Sequence, residues 1–182
     1  MKLSNIQVGK RYSKALYEVA KEQNSIEEIL EDLKSLKQVY EENPSLSFAL
    51  AGRSISRTEK LKVLETLKSQ FGELMQDFLS LVFDNNRMDC IVEMADAFIE
   101  KYDEANAIVE ATVTTTIELE DAQAKTLESV IKKRFSVNKV NLTKIVDPSI
   151  IGGVIIRVGD QVVDGSVVKR FNDIKKTLLV NN

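Results

Sequence analysis

DPSIIGGVIIRVGDQVVDGS, residues 147–166, reads as a turn, a strand, a tight reversal and a second strand. The Asp147-Pro148 step pushes the preceding backbone out of helical space, so the chain turns before regular structure resumes. After Gly152-Gly153, the β-branched run Val154, Ile155, Ile156 and Val158 suits a pleated, buried surface. Gly159-Asp160 supplies the reversal, and Gln161, Val162 and Val163 return as the partner strand. Asp164-Gly165 closes the hairpin. Ser166 has the chemistry of a helix N-cap, and Val168, Phe171, Ile174 and Leu178 recur at helical spacing beyond it.

Upstream of the hairpin, Val109, Ala111, Val113 and Thr115 alternate with Glu110, Thr112 and Thr114, the two-residue repeat of a half-buried strand. Asp121 opens a helix through Ala124, Leu127, Val130, Ile131 and Phe135, and Val140, Leu142, Ile145 and Val146 form another strand. Before residue 105 the period is helical instead. Six helices are expected there, the first with Ile6, Tyr12, Ala15, Leu16, Val19 and Ala20 on one face. Ser25 with Glu28 and Ser56 with Glu59 have the spacing of capping boxes, and Asn43-Pro44 places proline at a first helical position. Gly52 and Gly72 act as stops. The fold class expected is α+β: an N-terminal six-helix bundle, residues 1–105, then a small βαβββα domain, residues 106–182.

One helix breaks the simple pattern. Residues 73–84 carry Leu74, Met75, Phe78, Leu79, Leu81, Val82 and Phe83, apolar on more than one side. A surface helix needs only one stripe. The excess requires either a central place in the bundle or an external partner, and the residues alone leave both open.

Chemistry is harder to find. The 182 residues contain no histidine, which removes His-based triads and His metal sites. Asp147, Asp160 and Asp164 each sit at a turn, where aspartate bonds its own backbone, so no metal is expected. Gly152-Gly153 precedes a strand rather than a helix and so reads as a close backbone approach, not a phosphate cradle. Lys132-Lys133-Arg134 suits a solvated helix end, and Cys90, beside Ile91 on an apolar face, reads as an inert buried thiol. With 25 basic and 28 acidic residues the net charge is −3, so no global field draws nucleic acid. No apolar run is long enough to span a bilayer. No cofactor and no direct membrane insertion are expected, and a lone thiol fits a reducing compartment.

The order Asp-Pro, Gly-Gly, strand, Gly-Asp, strand, Asp-Gly-Ser, helix resembles the C-terminal region of the delta subunits of bacterial F-type ATP synthases, equivalent to the mitochondrial oligomycin-sensitivity-conferring protein. The stretch VGKRYSKALYEVAKEQ, residues 8–23, is similar to that family's opening helix. Val168, Phe171 and Asn86 stand where the family commonly has a basic residue, Leu and Gly. The resemblance implies a non-catalytic stator component that links the catalytic head to the peripheral stalk and resists rotor torque during proton- or sodium-driven ATP synthesis. It implies one copy per complex, peripheral at the cytoplasmic face of the bacterial plasma membrane. It also implies a groove between the first and fifth helices for the N-terminal helix of an alpha subunit, with Tyr12, Ala15, Leu16 and Val19 on one wall and Phe78, Leu79 and Val82 on the other. The C-terminal domain is then expected to hold the b subunits, with Val167, Phe171 and Ile174 as contacts. Without the resemblance, a generic helical adaptor or a nucleic-acid-associated protein is the alternative.

Overall fold

The computed structural model describes residues 4–52 and 55–180, with side chains as far as residue 176. Among the described residues, eight α-helices and one four-stranded sheet make an α+β arrangement. It divides into two compact units, residues 1–102 and 103–182, which are described separately.

The first unit holds α1 (Asn5–Glu22), α2 (Ile26–Glu42), α3 (Pro44–Ala51), α4 (Arg57–Lys68), α5 (Glu73–Asp84) and most of α6 (Ile91–Asn106). Their apolar stripes share one core, with Leu33, Leu36, Met75, Leu79, Met94 and Phe98 among its fully enclosed side chains. Burying each such side chain contributes about 1.5–3 kcal/mol, which is what holds short helices in place. At Gly9 the α1 backbone comes so close to α6 that an added Cβ would lie 2.6 Å from the Glu93 carbonyl oxygen. Ser4 caps α1, accepting from the Gln7 N–H, and Ser56 caps α4 in a full capping box with Glu59.

The expected capping box at Ser25 does not form. Ser25 has φ −115° and ψ 19°, outside the extended region that aims a cap hydroxyl at the N3 amide, and its Oγ donates to the Ala20 carbonyl instead. Asn43 likewise turns back, donating from Nδ2 to the Val39 carbonyl, although Pro44 does open α3.

The second unit contains β1 (Ile108–Thr115), α7 (Asp121–Phe135), β2 (Lys139–Val146), β3 (Val154–Val158), β4 (Gln161–Asp164) and α8 (Val167–Val180). The sheet order is β2-β1-β3-β4: β2 lies parallel to β1, while β3 pairs antiparallel with β1 and with β4. Ala111 and Val113 of β1 point inward, and Ala111 packs with Ile131, Val140 and Val158. Gly159, at φ 55°, starts the two-residue turn from β3 to β4. Gly153, at φ 83°, is fixed twice over, since a Cβ there would also collide with the Gly165 carbonyl. The Gly165 N–H donates to the Val154 carbonyl and the Val167 N–H to the Gly152 carbonyl, so the paired glycines lock the hairpin to the start of α8. The Ser166 hydroxyl caps that helix by accepting from the Lys169 N–H at 3.1 Å.

Ile151 is a backbone outlier. It has φ 65° and ψ −34°, with the Gly152 N–H donating to the Ile150 carbonyl across it, a three-residue turn that β-branched residues rarely adopt. Its side chain is 72% exposed, so little packing offsets the strain. Ile151→Gly is expected to raise stability by about 1 kcal/mol, net of the glycine entropy cost, in a denaturant titration. A destabilised variant would contradict this account of the turn.

Asp32, Glu59, Asp147 and Asp164 depart from ordinary titration. Burial, then the neighbouring Glu28, raises Asp32, against the opposing pull of the Gly72 N–H. Hydrogen bonds from Ser149 lower Asp147, those from Ser166 lower Asp164, and those from Ser56 lower Glu59. The lowered groups add stability above the unfolded carboxylate pKa and lose it as pH falls through the folded value. Asp32 acts in the opposite sense: its contribution is greatest below the unfolded pKa and falls as pH rises through the raised one. An NMR titration is expected to place the Asp32 midpoint above, and the other three below, the usual carboxylate range. The reverse order would refute these assignments.

Candidate partner-binding site

Along α1, Val8, Tyr12 and Ala15 follow one another at four- and three-residue steps and so lie on one side of the helix. Together with Leu81 of α5 they line an open cleft of about 400 Å³, which Arg11, Asn85 and Arg87 also border. The turn after α5 fixes its far end. Asn86 takes the left-handed conformation at φ 52°, its N–H donates to the Phe83 carbonyl, and the Arg87 N–H donates to the Val82 carbonyl. That is a Schellman closure, with asparagine where glycine is usual, and it sets the point from which the Arg87 side chain departs.

The structure sorts the expected groove residues into two groups. Tyr12 is half-buried and Ala15 exposed, and both line the cleft; Val19 is exposed one turn further along α1. Leu16, Phe78, Leu79 and Val82 are core residues, and this corrects their expected place on the groove walls. Met75, Phe78, Leu79 and Val82 occupy the i, i+3, i+4 and i+7 positions that α5 turns inward. Most of the apolar excess of α5 is therefore absorbed by a central position. Leu81, off that stripe and 54% exposed, is the part left over. In the sequence Leu81 is one more apolar residue of α5, and its offset from the 75/78/79/82 stripe is the signal that sets it apart. Arg11, Asn85 and Arg87 gave no comparable signal.

In the second unit, Val167, Phe171 and Ile174 stand at i, i+4 and i+7 on α8 and are all exposed. Leu178, expected on the same stripe, lies outside the described side chains. The depression between α8 and the hairpin is lined by Ser149, Ile155, Asp164, Val168, Asn172 and Lys176. Thus α8 turns Val168, Asn172 and Lys176 to that depression and leaves Phe171 and Ile174 exposed.

No cluster of three metal-ligating side chains occurs among the described residues. Cys90 is buried, and its thiol is pushed up to about 12 by burial and by Asp89, so it stays protonated at neutral pH. No helix among the described residues is long and apolar enough to cross a membrane.

Residues 8–178 match the family model described as the ATP synthase delta (OSCP) subunit. The chain belongs to the ATP synthase delta (OSCP) family. It is 38% identical over 181 residues to the ATP synthase subunit delta of Lactiplantibacillus plantarum, covering the whole of both chains. It is 36% identical to that of Enterococcus faecalis, covering 98% of this chain and 99% of the relative. A chain of the Toxoplasma gondii mitochondrial ATP synthase hexamer, solved by electron cryomicroscopy, shares the fold, with a TM-score of 0.66 and 24% identity over 94% of this chain and 97% of that one. Membership of the delta (OSCP) family makes the protein a structural rather than a catalytic subunit of an ATP synthase, serving the stator that links head to stalk.

Proposed function

We propose that this delta-family chain bridges two partners: residues 1–105 hold the N-terminal helix of an alpha subunit, and residues 106–182 hold the b subunits of the peripheral stalk. In this reading α1–α6 form a six-helix bundle whose only task is to present the α1/α5 cleft. The observation that carries it is that cleft, with Tyr12, Ala15 and exposed Leu81 on its walls. An amphipathic helix laid into such a groove draws its affinity from a few desolvated apolar anchors. On the other unit, the exposed stripe of Val167, Phe171 and Ile174 supports a second helical contact, here assigned to the b subunits.

Such a bridge transmits force without chemistry. Rotor torque tends to turn the catalytic head, and a chain tied to both head and stalk opposes that rotation. Because both grips sit on one chain, each raises the effective concentration of the other, and the assembled bridge is tighter than either contact. One copy per complex, peripheral at the cytoplasmic face, suits that task. Titrating the full chain with a peptide copying the alpha N-terminus tests the head-side grip. Saturable one-to-one binding that adds helical signal is expected, and heat indistinguishable from dilution would overturn it.

A further inference from the structure

The cleft carries polar and charged groups beside its apolar ones. Arg11 lies one residue before Tyr12 and one turn before Ala15, and Arg87 leaves from the closed end of α5, so two guanidinium groups border the same opening. Neither takes part in an ion pair among the described residues. Their neighbours differ. Arg57 is bound to Asp84 at 3.0 Å, while Lys10 and Lys37 reach Glu100 and Asp96 on α6.

The opposite flank of α1 has the contrary character. There Ile6 and Lys10 border a depression whose other wall carries Glu93, Asp96 and Glu100. One helix thus separates a groove with two cations unpaired among the described residues from a groove with three carboxylates, two of them paired with lysines. An incoming amphipathic helix meets both fields, and its own charges decide which flank it enters. Covering the α1/α5 cleft also strips water from the guanidinium groups, which is costly unless the occupant supplies an acceptor.

We propose that the helix seated in the α1/α5 cleft carries a side-chain carboxylate at the edge of its apolar face, and that this carboxylate pairs with Arg11 and Arg87. The proposal rests on the head-side grip described above and names the chemistry that grip selects. Arginine suits the role because its planar fork can hold a carboxylate through two hydrogen bonds.

The probe is the alpha N-terminal peptide, used alongside a copy in which every Asp and Glu is replaced by Asn and Gln. Calorimetry on the full wild-type chain is expected to show about tenfold weaker binding for the amide copy, with most of that difference lost at high salt. An R11Q/R87Q variant is expected to bind the acidic peptide about tenfold more weakly and to lose its preference over the amide copy. Equal affinity of the two peptides for the wild-type chain would overturn the proposal and leave the apolar grip standing. So would a folded R11Q/R87Q variant that keeps the full preference. If neither peptide binds the wild-type chain, the head-side grip itself falls, and this pairing with it. Should the arginine variant fail to fold, the two peptides on the wild-type chain still decide the matter.

Discussion

Leu81→Asp is expected to weaken binding of the alpha N-terminal peptide by about 2 kcal/mol or more while leaving the thermal unfolding of the chain nearly unchanged. Leu81 is exposed on the outer side of α5 and belongs to the cleft, so a carboxylate there stays hydrated in the free protein. On binding, that carboxylate has to be desolvated against the apolar face of the incoming helix, and the loss appears in affinity alone. The adjacent residue behaves oppositely. Val82 has no exposed surface, and Val82→Asp would place an unpaired charge among Leu79, Phe83 and their neighbours, costing about 3–5 kcal/mol of folding free energy. Lost binding in Val82→Asp would therefore report unfolding rather than contact. The pair is measured by calorimetry beside a melting curve. A Leu81→Asp chain that binds the peptide as the wild type does would remove α5 from the interface.

Phe171→Asp is expected to abolish capture of the b subunits while leaving both folding and alpha-peptide binding intact. Phe171 is 68% exposed, between Val167 and Ile174 on the outward stripe of α8, so substitution removes no core packing. A large aromatic at the centre of a stripe is the kind of anchor whose loss costs about 2–4 kcal/mol of binding. Removal of residues 147–182 is the less informative experiment. It would strip β3 and β4 from the sheet and expose one edge of β1, so the second unit would lose its fold together with any contact. A pull-down with the soluble part of the b subunit, scored against Phe171→Asp, reads the contact alone. Undiminished capture would place the b subunits elsewhere on the chain.

The hairpin was legible because turn chemistry is local. Gly159 needs a left-handed φ and Gly153 needs both that and the absence of a Cβ, and both demands show in residue type. The alternation of β1 was equally plain, whereas its central place between a parallel β2 and an antiparallel β3 depends on long-range pairing that a two-residue period does not encode. The walls of the cleft were half legible. Tyr12 and Ala15 stood out on the stripe of α1, but α5 is apolar on more than one side, and only packing decides that Met75, Phe78, Leu79 and Val82 turn inward while Leu81 stays out. Ser25 misled for a related reason: its spacing to Glu28 satisfies a capping box, but the tight link from α1 fixes its backbone outside the extended region. The Arg11 and Arg87 pair was illegible, because a helix and a turn 76 residues apart meet only after folding.

The central claim is that one chain holds head and stalk at once. It is tested most directly by sedimentation of the full chain with a labelled alpha N-terminal peptide and the soluble part of the b subunit together. The account predicts a single ternary species in which saturation with one partner leaves the affinity for the other undiminished. Displacement of either partner by the other would contradict it.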